Sequence, residues 1–280
     1  MSNNSTKFIV ISDLHCTDKL SIGKQQIINR IINELTNADL TLDKINMVII
    51  PGDLTDNGYD GEQLLGWKFG GDQDQLDVLI KDVIEPLEKY TKVYICAGNH
   101  DEYVKPPRCR KPVLNYIIKR HGSLRYEIKM SKKNKISSQK NMMSSTTCSL
   151  LCCNNKTEIT KKNYILKCLC LNIYPDEISR AFLKLTLECN PSFSYIIIFH
   201  YNPIGPYSEF WNDDDKQAFL DIISGYHIIA IITGHIHIST LLTWTNPKTN
   251  ENYPIIIAAG DKFALCEFNF DTSQLITKFL

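Results

Sequence analysis

Apolar positions along this chain fall into two alternating patterns. Short continuous apolar runs cover residues 7–12, 47–51, 92–97 and 164–174, then 195–199, 228–232, 255–259 and 264–270. Runs of that length bounded by turn residues predict strands, and those at 195–199 and 228–232 have the look of fully buried ones. Between the runs, apolar residues recur every three or four positions. Ile22, Ile27, Ile28, Ile31, Ile32 and Leu35 make one stripe; Leu76, Leu79, Ile80, Val83, Ile84 and Leu87 make a second. That spacing predicts amphipathic helices, the second kinked or restarted at Pro86. Further helices are expected over 113–121, stopped by Gly122, over 177–188, and over 213–225, which opens on acids and closes on glycine. Strand and helix alternate throughout, which argues for an α/β sheet with helices on its faces.

One stretch breaks the alternation. Residues 131–162 are rich in Ser, Lys and Asn and carry little periodicity. They read as a polar, exposed insertion, with room for a short strand near 148–153, in an otherwise single domain spanning 1–280.

Charge changes the picture by exclusion. Lys and Arg number 31, as do Asp and Glu, so the formal net charge is zero. A general electrostatic footprint for nucleic acid or an anionic membrane is missing. No apolar run reaches the roughly 18 residues that span a bilayer. The apolar start at 8–11 is too short for a signal-peptide core and runs straight into Ser12-Asp13. The expectation is a cytoplasmic protein with neither membrane nor nucleic acid as partner. Cysteines do not alter it. Cys96, Cys168, Cys170 and Cys266 sit in strand-like runs as small hydrophobes. Cys148, Cys152 and Cys153 lack a second Cys-x-x-Cys pair at zinc-finger spacing.

The chemistry gathers where apolar strands stop. Five segments do so: Asp13-Leu14-His15, Gly52-Asp53, Gly98-Asn99-His100-Asp101, His200, and Gly234-His235-Ile236-His237. In open α/β sheets sites form at the carboxyl ends of strands, so residues distant in sequence converge there. Asp13 and His15 are two apart, as are His235 and His237, and extended backbone would put each pair on one side. Carboxylate oxygen, imidazole nitrogen and amide oxygen suit Mn, Fe or Zn better than calcium. Each segment alone is a weak signal. Together they hold five of the seven histidines, in one consistent placement; His121 and His227 remain as structural residues.

This ordered set resembles the calcineurin-like metallophosphoesterase superfamily, whose pattern is Asp-x-His, Gly-Asp, Gly-Asn-His-Asp/Glu, a strand-end His, and Gly-His-x-His. The resemblance implies a four-layer α/β/β/α sandwich with a dimetal site at the C-terminal ends of strands. It implies that Asp13, His15, Asp53 and His237 hold one divalent ion, and Asp53, Asn99, His200 and His235 a second, with Asp53 bridging. His100 would bind no metal and would face the substrate phosphate. Asp56 would orient that histidine, with Asp101 as its rival. The activity implied is hydrolysis of a phosphomonoester or phosphodiester by hydroxide made available between two ions (Mn, Fe or Zn). Ser-Asp-Leu-His-Cys at 12–16, Asp101 in place of Glu, and no arginine after Asp56 resemble the small phosphodiesterase and phosphatase branches more than the Ser/Thr protein phosphatases. Rival readings are a nuclease and a non-catalytic scaffold of the same fold.

The substrate is open to a small molecule, a nucleotide or a phosphoprotein. The basic stretch at 105–111 is suited to a second phosphate or an acidic peptide, or to a solvated loop. Tyr207, Phe210 and Trp211 are suited to stacking on a ring, or to packing as a lid.

Overall fold

The computed structural model describes residues 4–40, 44–56, 72–102, 112–131 and 165–280. The expected insertion beyond residue 131, the strand near 148–153 and the basic stretch at 105–111 lie outside the described residues. In chain order the first half comprises β1 (Ser5–Val10), α1 (Ile22–Leu40), β2 (Ile45–Pro51), α2 (Asp72–Val78), α3 (Glu85–Glu88) and β3 (Lys92–Cys96). It continues with α4 (Asn99–Glu102), α5 (Pro112–His121), β4 (Arg125–Ser131) and β5 (Ile165–Leu171). The second half comprises α6 (Glu177–Cys189), β6 (Ser194–Ile198), α7 (Asp213–Ile223) and β7 (His227–Thr233). It ends with β8 (Thr240–Thr245), β9 (Asn252–Ile257), β10 (Ala264–Asn269) and β11 (Gln274–Phe279).

The strands form two sheets, ordered β11-β10-β1-β2-β3 and β4-β5-β6-β7-β9-β8. β1, β2 and β3 run parallel, as do β5, β6, β7 and β9, with antiparallel strands at the edges. Successive side chains on a strand point to opposite faces, and here both faces are apolar. Phe8, Val10, Met47, Ile49, Tyr94 and Cys96 meet Ile128, Cys168, Cys170, Ile196 and Ile198 between the sheets. The alternate residues Ile9, Val48, Ile50, Val93 and Ile95 pack under Ile28 and Ile31 of α1, Leu87 of α3 and Ile117 of α5. Leu169, Leu171, Tyr195, Ile197 and Ile231 pack under Leu183 and Leu187 of α6 and Phe219 and Ile223 of α7. The layers are therefore helix, sheet, sheet, helix, as expected. Among the described residues no helix is long and apolar enough to cross a membrane.

Two departures from the sequence reading have physical reasons. β4, β8 and β11 carry no continuous apolar run; β4 and β11 alternate strictly, one face more buried than the other, so period two was their signal. The helix expected from Leu76 to Leu87 is interrupted by a π-helical stretch, Leu79–Ile84, just before Pro86. A proline cannot donate to the carbonyl one turn back, and a widened turn accommodates that loss.

His121 packs inside, its ring stacked on Tyr126 at 4.3 Å and on Tyr94 at 5.8 Å, with Nε2 accepting from the Ile95 amide at 3.4 Å. Burial, and then the Arg120 charge, push its pKa down to about 3. The unfolded chain takes up this proton near pH 6.5. Between those values the unfolded state binds more protons, so stability is full above pH 6.5 and falls with pH. The loss is about 2 kcal/mol by pH 5. Urea midpoints at pH 7.5 and 5 should show a drop in the wild type that is smaller by that amount in His121→Phe. Equal drops would remove His121 as the cause.

Candidate dinuclear metal centre

The five chemical segments meet where the two sheets' parallel strands end. Backbone hydrogen bonds join their loops: Ser12 N–H donates to the Ala258 carbonyl (2.6 Å), His15 N–H to that of Asp53 (3.0 Å), and Gly234 N–H to that of His200 (3.0 Å). Asp13, His15, Asp53, His235 and His237 all have positive φ, from 45° to 75°. Backbone in that region is unfavourable for residues with side chains and is found where surroundings or function demand it. Extended backbone was expected at Asp13–His15 and His235–His237; the structure turns both left-handed instead. The intervening Leu14 and Ile236 are buried in the core, and the polar side chains are turned together.

The approach between loops is close. Gly52, at φ +105°, leaves no room for a side chain, since a Cβ there would sit 2.6 Å from His200 Nδ1. A Cβ on Gly98 would run into the amide and carboxylate of Asp53. Asp101 is buried and accepts from the amides of Gly98 (2.8 Å), Leu54 (3.1 Å) and Thr55 (3.0 Å) and from the Thr55 hydroxyl (3.0 Å). It braces the Asp53 and His100 loops, and none of these four contacts is to the His100 ring.

Two sets of ligand atoms face each other across Asp53. In the first, His15 Nε2 lies 3.0 Å from His237 Nε2 and 3.6 Å from Asp53 Oδ2, and His237 Nε2 lies 3.5 Å from Asp13 Oδ1. In the second, His200 Nε2 lies 3.1 Å from Asp53 Oδ2 and 3.0 Å from Asn99 Oδ1. His235 completes it, the ligand atoms of Asp53, His200 and His235 all lying within 4.8 Å of one another. All seven expected ligand residues are brought together.

The electrostatics are those of a cation site. His200 Nδ1 faces the Pro51 carbonyl at 2.9 Å. A carbonyl can only accept, so Nδ1 carries a proton, and Nε2 faces two further acceptors, to which it donates while the ring is charged and beside which it would offer its lone pair once a cation replaced that second proton. Burial disfavours a charge on His200, yet the Asp53 carboxylate lifts its pKa to about 9. Burial likewise works against the Asp53 charge, and His200 outweighs it, holding that carboxyl well below its usual range. Burial, and then the charge on His200, push His235 down to about 4; burial also lowers His15. His235 Nε2 is buried and has no hydrogen-bond partner among the described residues, and a buried nitrogen left so is unfavourable unless something fills the gap. Converging lone pairs and one orphaned nitrogen fit divalent metal ions.

His100 stands beside these sets. Its amide donates to Asp53 Oδ1 (3.0 Å), its ring meets His15 edge-on with centroids 4.6 Å apart, and its Nδ1 lies 2.7 Å from the Asp56 backbone carbonyl. Asp56 thus reaches His100 through its main chain, while its carboxylate lies 4.0 Å from His15 Nδ1. Sequence reasoning missed Lys24. From α1 its Nζ donates to the carbonyls of Asp13 (2.6 Å) and Gly260 (3.1 Å), tying two site loops together. A lone lysine in an apolar stripe was the only signal. Trp211 is in the core against Phe199, Phe219 and Trp244, whereas Tyr207 and Phe210 are exposed.

No curated protein matches the sequence. Among solved structures, the chain is similar to a dimetal phosphatase from Danio rerio, with TM-score 0.58 and 13% identity over 97% of this chain and 98% of that one. It is also similar to the anchor protein of the inner membrane complex of Plasmodium, with TM-score 0.54 and 11% identity over 99% and 84%. A third is a purple acid phosphatase from yellow lupin seeds, with TM-score 0.52 and 11% identity over 98% of this chain and 51% of that one. At such identities these likenesses speak for the fold. The sequence itself matches the model of calcineurin-like phosphoesterases over residues 6–239, and with that the chain belongs to the calcineurin-like phosphoesterase family, hydrolases that act on phosphoester bonds.

Proposed function

We propose that this chain hydrolyses a phosphomonoester or phosphodiester, with one divalent ion held by Asp13, His15, Asp53 and His237 and a second by Asp53, Asn99, His200 and His235. The observation that carries the reading is the position of Asp53 Oδ2, 3.6 Å from His15 Nε2 and 3.1 Å from His200 Nε2. One carboxylate oxygen faces both histidine sets, as a bridging ligand must. The donors suit Mn, Fe or Zn. Ions bound there would supply charge for the phosphoryl oxygens and lower the pKa of water toward neutrality.

The chain's own groups do the rest. Asp101 and Lys24 hold the ligand loops in register. The Asp56 carbonyl holds a proton on His100 Nδ1, which leaves Nε2 as the nitrogen to meet substrate. Protonated there, His100 donates to a phosphoryl oxygen or to the departing alkoxide, help worth about 10²–10⁴ in rate. Cys16, Cys96, Cys168, Cys170 and Cys266 are buried thiols outside any disulfide, which supports a cytoplasmic setting.

The likeness to the Plasmodium anchor protein favours a second reading, a binding scaffold without turnover. The complete donor set argues against it, and the zero net charge argues against a nuclease. Metal content and turnover decide. The protein reconstituted with Mn²⁺ should carry two ions per chain and hydrolyse 4-nitrophenyl phosphate or its bis ester. Two ions with no turnover of either would support the scaffold. Fewer than one ion per chain would overturn the centre itself.

A further inference from the structure

Three aromatic rings surround one imidazole of the centre. Tyr201, Phe210 and Tyr207 lie with centroids 4.7, 5.3 and 6.0 Å from that of His235. Tyr201 is half-buried and stacks on Tyr174 at 5.8 Å. Tyr207 and Phe210 are different: they are 55% and 58% exposed. The neighbouring Trp211 shows what a structural aromatic does in this loop, being 1% exposed in the core. The outer pair are near-parallel, 29° apart with centroids 6.5 Å apart. Tyr207 holds its place at φ +59°, left-handed backbone that is rare for a bulky side chain. Strained backbone presenting exposed rings beside a reactive centre points to a ligand.

We propose that Tyr207 and Phe210 form a subsite for a planar aromatic ring on the substrate's organic arm. The phosphoester cleaved here then carries a nucleobase-like ring about one sugar away from its phosphorus. This rests on the phosphoesterase reading, because a phosphate held by ions at Asp53, His200 and His235 would lie beside His235, around which these rings stand. Stacking on such rings tolerates any flat heterocycle and is worth about 10- to 100-fold in kcat/KM.

The test uses substrate pairs that differ only in the ring. For a monoesterase these are adenosine 5′-monophosphate and ribose 5-phosphate, which share a leaving alkoxide. For a diesterase they are thymidine 5′-(4-nitrophenyl) phosphate and tetrahydrofurfuryl 4-nitrophenyl phosphate, which share nitrophenolate and the five-membered sugar frame. The Mn²⁺ enzyme should prefer the ring-bearing member by about 10- to 100-fold. Tyr207→Ala/Phe210→Ala should bring the pair to equal kcat/KM, and Tyr207→Phe, which keeps the ring, should retain the preference. Equal values in the wild type, or a preference that survives the double variant, would overturn the subsite. Absence of bound metal would count against the phosphoesterase reading instead. Calorimetric titration with adenosine 5′-monophosphate and ribose 5-phosphate then still decides: tighter binding of the nucleotide by wild type but not by the double variant upholds the subsite, and equal binding removes it.

Discussion

Asp53→Asn yields a folded protein that gains no stability from Mn²⁺ and has lost at least about 10³-fold in kcat/KM. The side chain keeps its size and loses its charge. That charge is buried at the meeting point of both histidine sets. Without metal the substitution is tolerable, because it is the Asp53 carboxylate that lifts His200 to about 9. With Asn there, the main support for a charge on His200 is gone, and burial favours its neutral form. With metal the consequences differ. Two ions would lose the anionic oxygen between them, and their mutual repulsion would go unscreened. Even groups outside the ligand shell change metal affinity by about 10–100-fold, and a bridging carboxylate does more. In the wild type, Mn²⁺ at about 100 times its Kd adds roughly 2.7 kcal/mol of stability. That raises Tm by roughly 5 °C or more for a chain of this size. The variant should show no such rise. Thermal melts with and without Mn²⁺, paired with metal analysis, make the comparison. Two ions per chain and activity within tenfold of wild type would dismiss Asp53 as the bridge.

Much of this centre was legible because its signals are local. Each ligand follows an apolar run, and an apolar run that stops at Asp, Asn or His marks a strand end with a donor on it. What the sequence did not show depends on contacts between segments far apart. Asp101 reads as a neighbour of His100, but its partners are amides of Leu54 and Thr55 on another loop. Lys24 reads as an interruption in a helical stripe, and its partners lie at Asp13 and, at the far end of the chain, Gly260. The two-residue spacing of Asp13 and His15 suggested the right outcome by the wrong route. Side chains can also be turned together by left-handed backbone with a buried Leu14 between them. The edge strands were missed for a related reason. β4 alternates polar and buried residues because one face meets the core, and a short alternating segment is a weaker signal than a continuous apolar run. The aromatic triplet at 207–211 split in a way that composition could not foretell, with Trp211 in the core and Tyr207 and Phe210 outside.

His100→Asn should separate turnover from metal binding. The contact of His100 with Asp53 is made by its backbone amide, 3.0 Å from Oδ1, and a substitution of the side chain leaves that amide in place. Metal content and the Mn²⁺-dependent rise in Tm should therefore match wild type, while kcat falls by about 10²–10⁴. The substrate dependence of the fall tells which atom the ring serves. Nitrophenolate departs without a proton, whereas an alkoxide needs one. If His100 donates to the leaving oxygen, the loss on ribose 5-phosphate should exceed the loss on 4-nitrophenyl phosphate by tenfold or more. If it donates to a phosphoryl oxygen, the two losses should be equal, because that charge develops in both transition states. Full activity in the variant would take His100 out of the chemistry. Loss of metal together with activity would make it a ligand or a support for one, contrary to the geometry that leaves its Nδ1 on the Asp56 carbonyl at 2.7 Å.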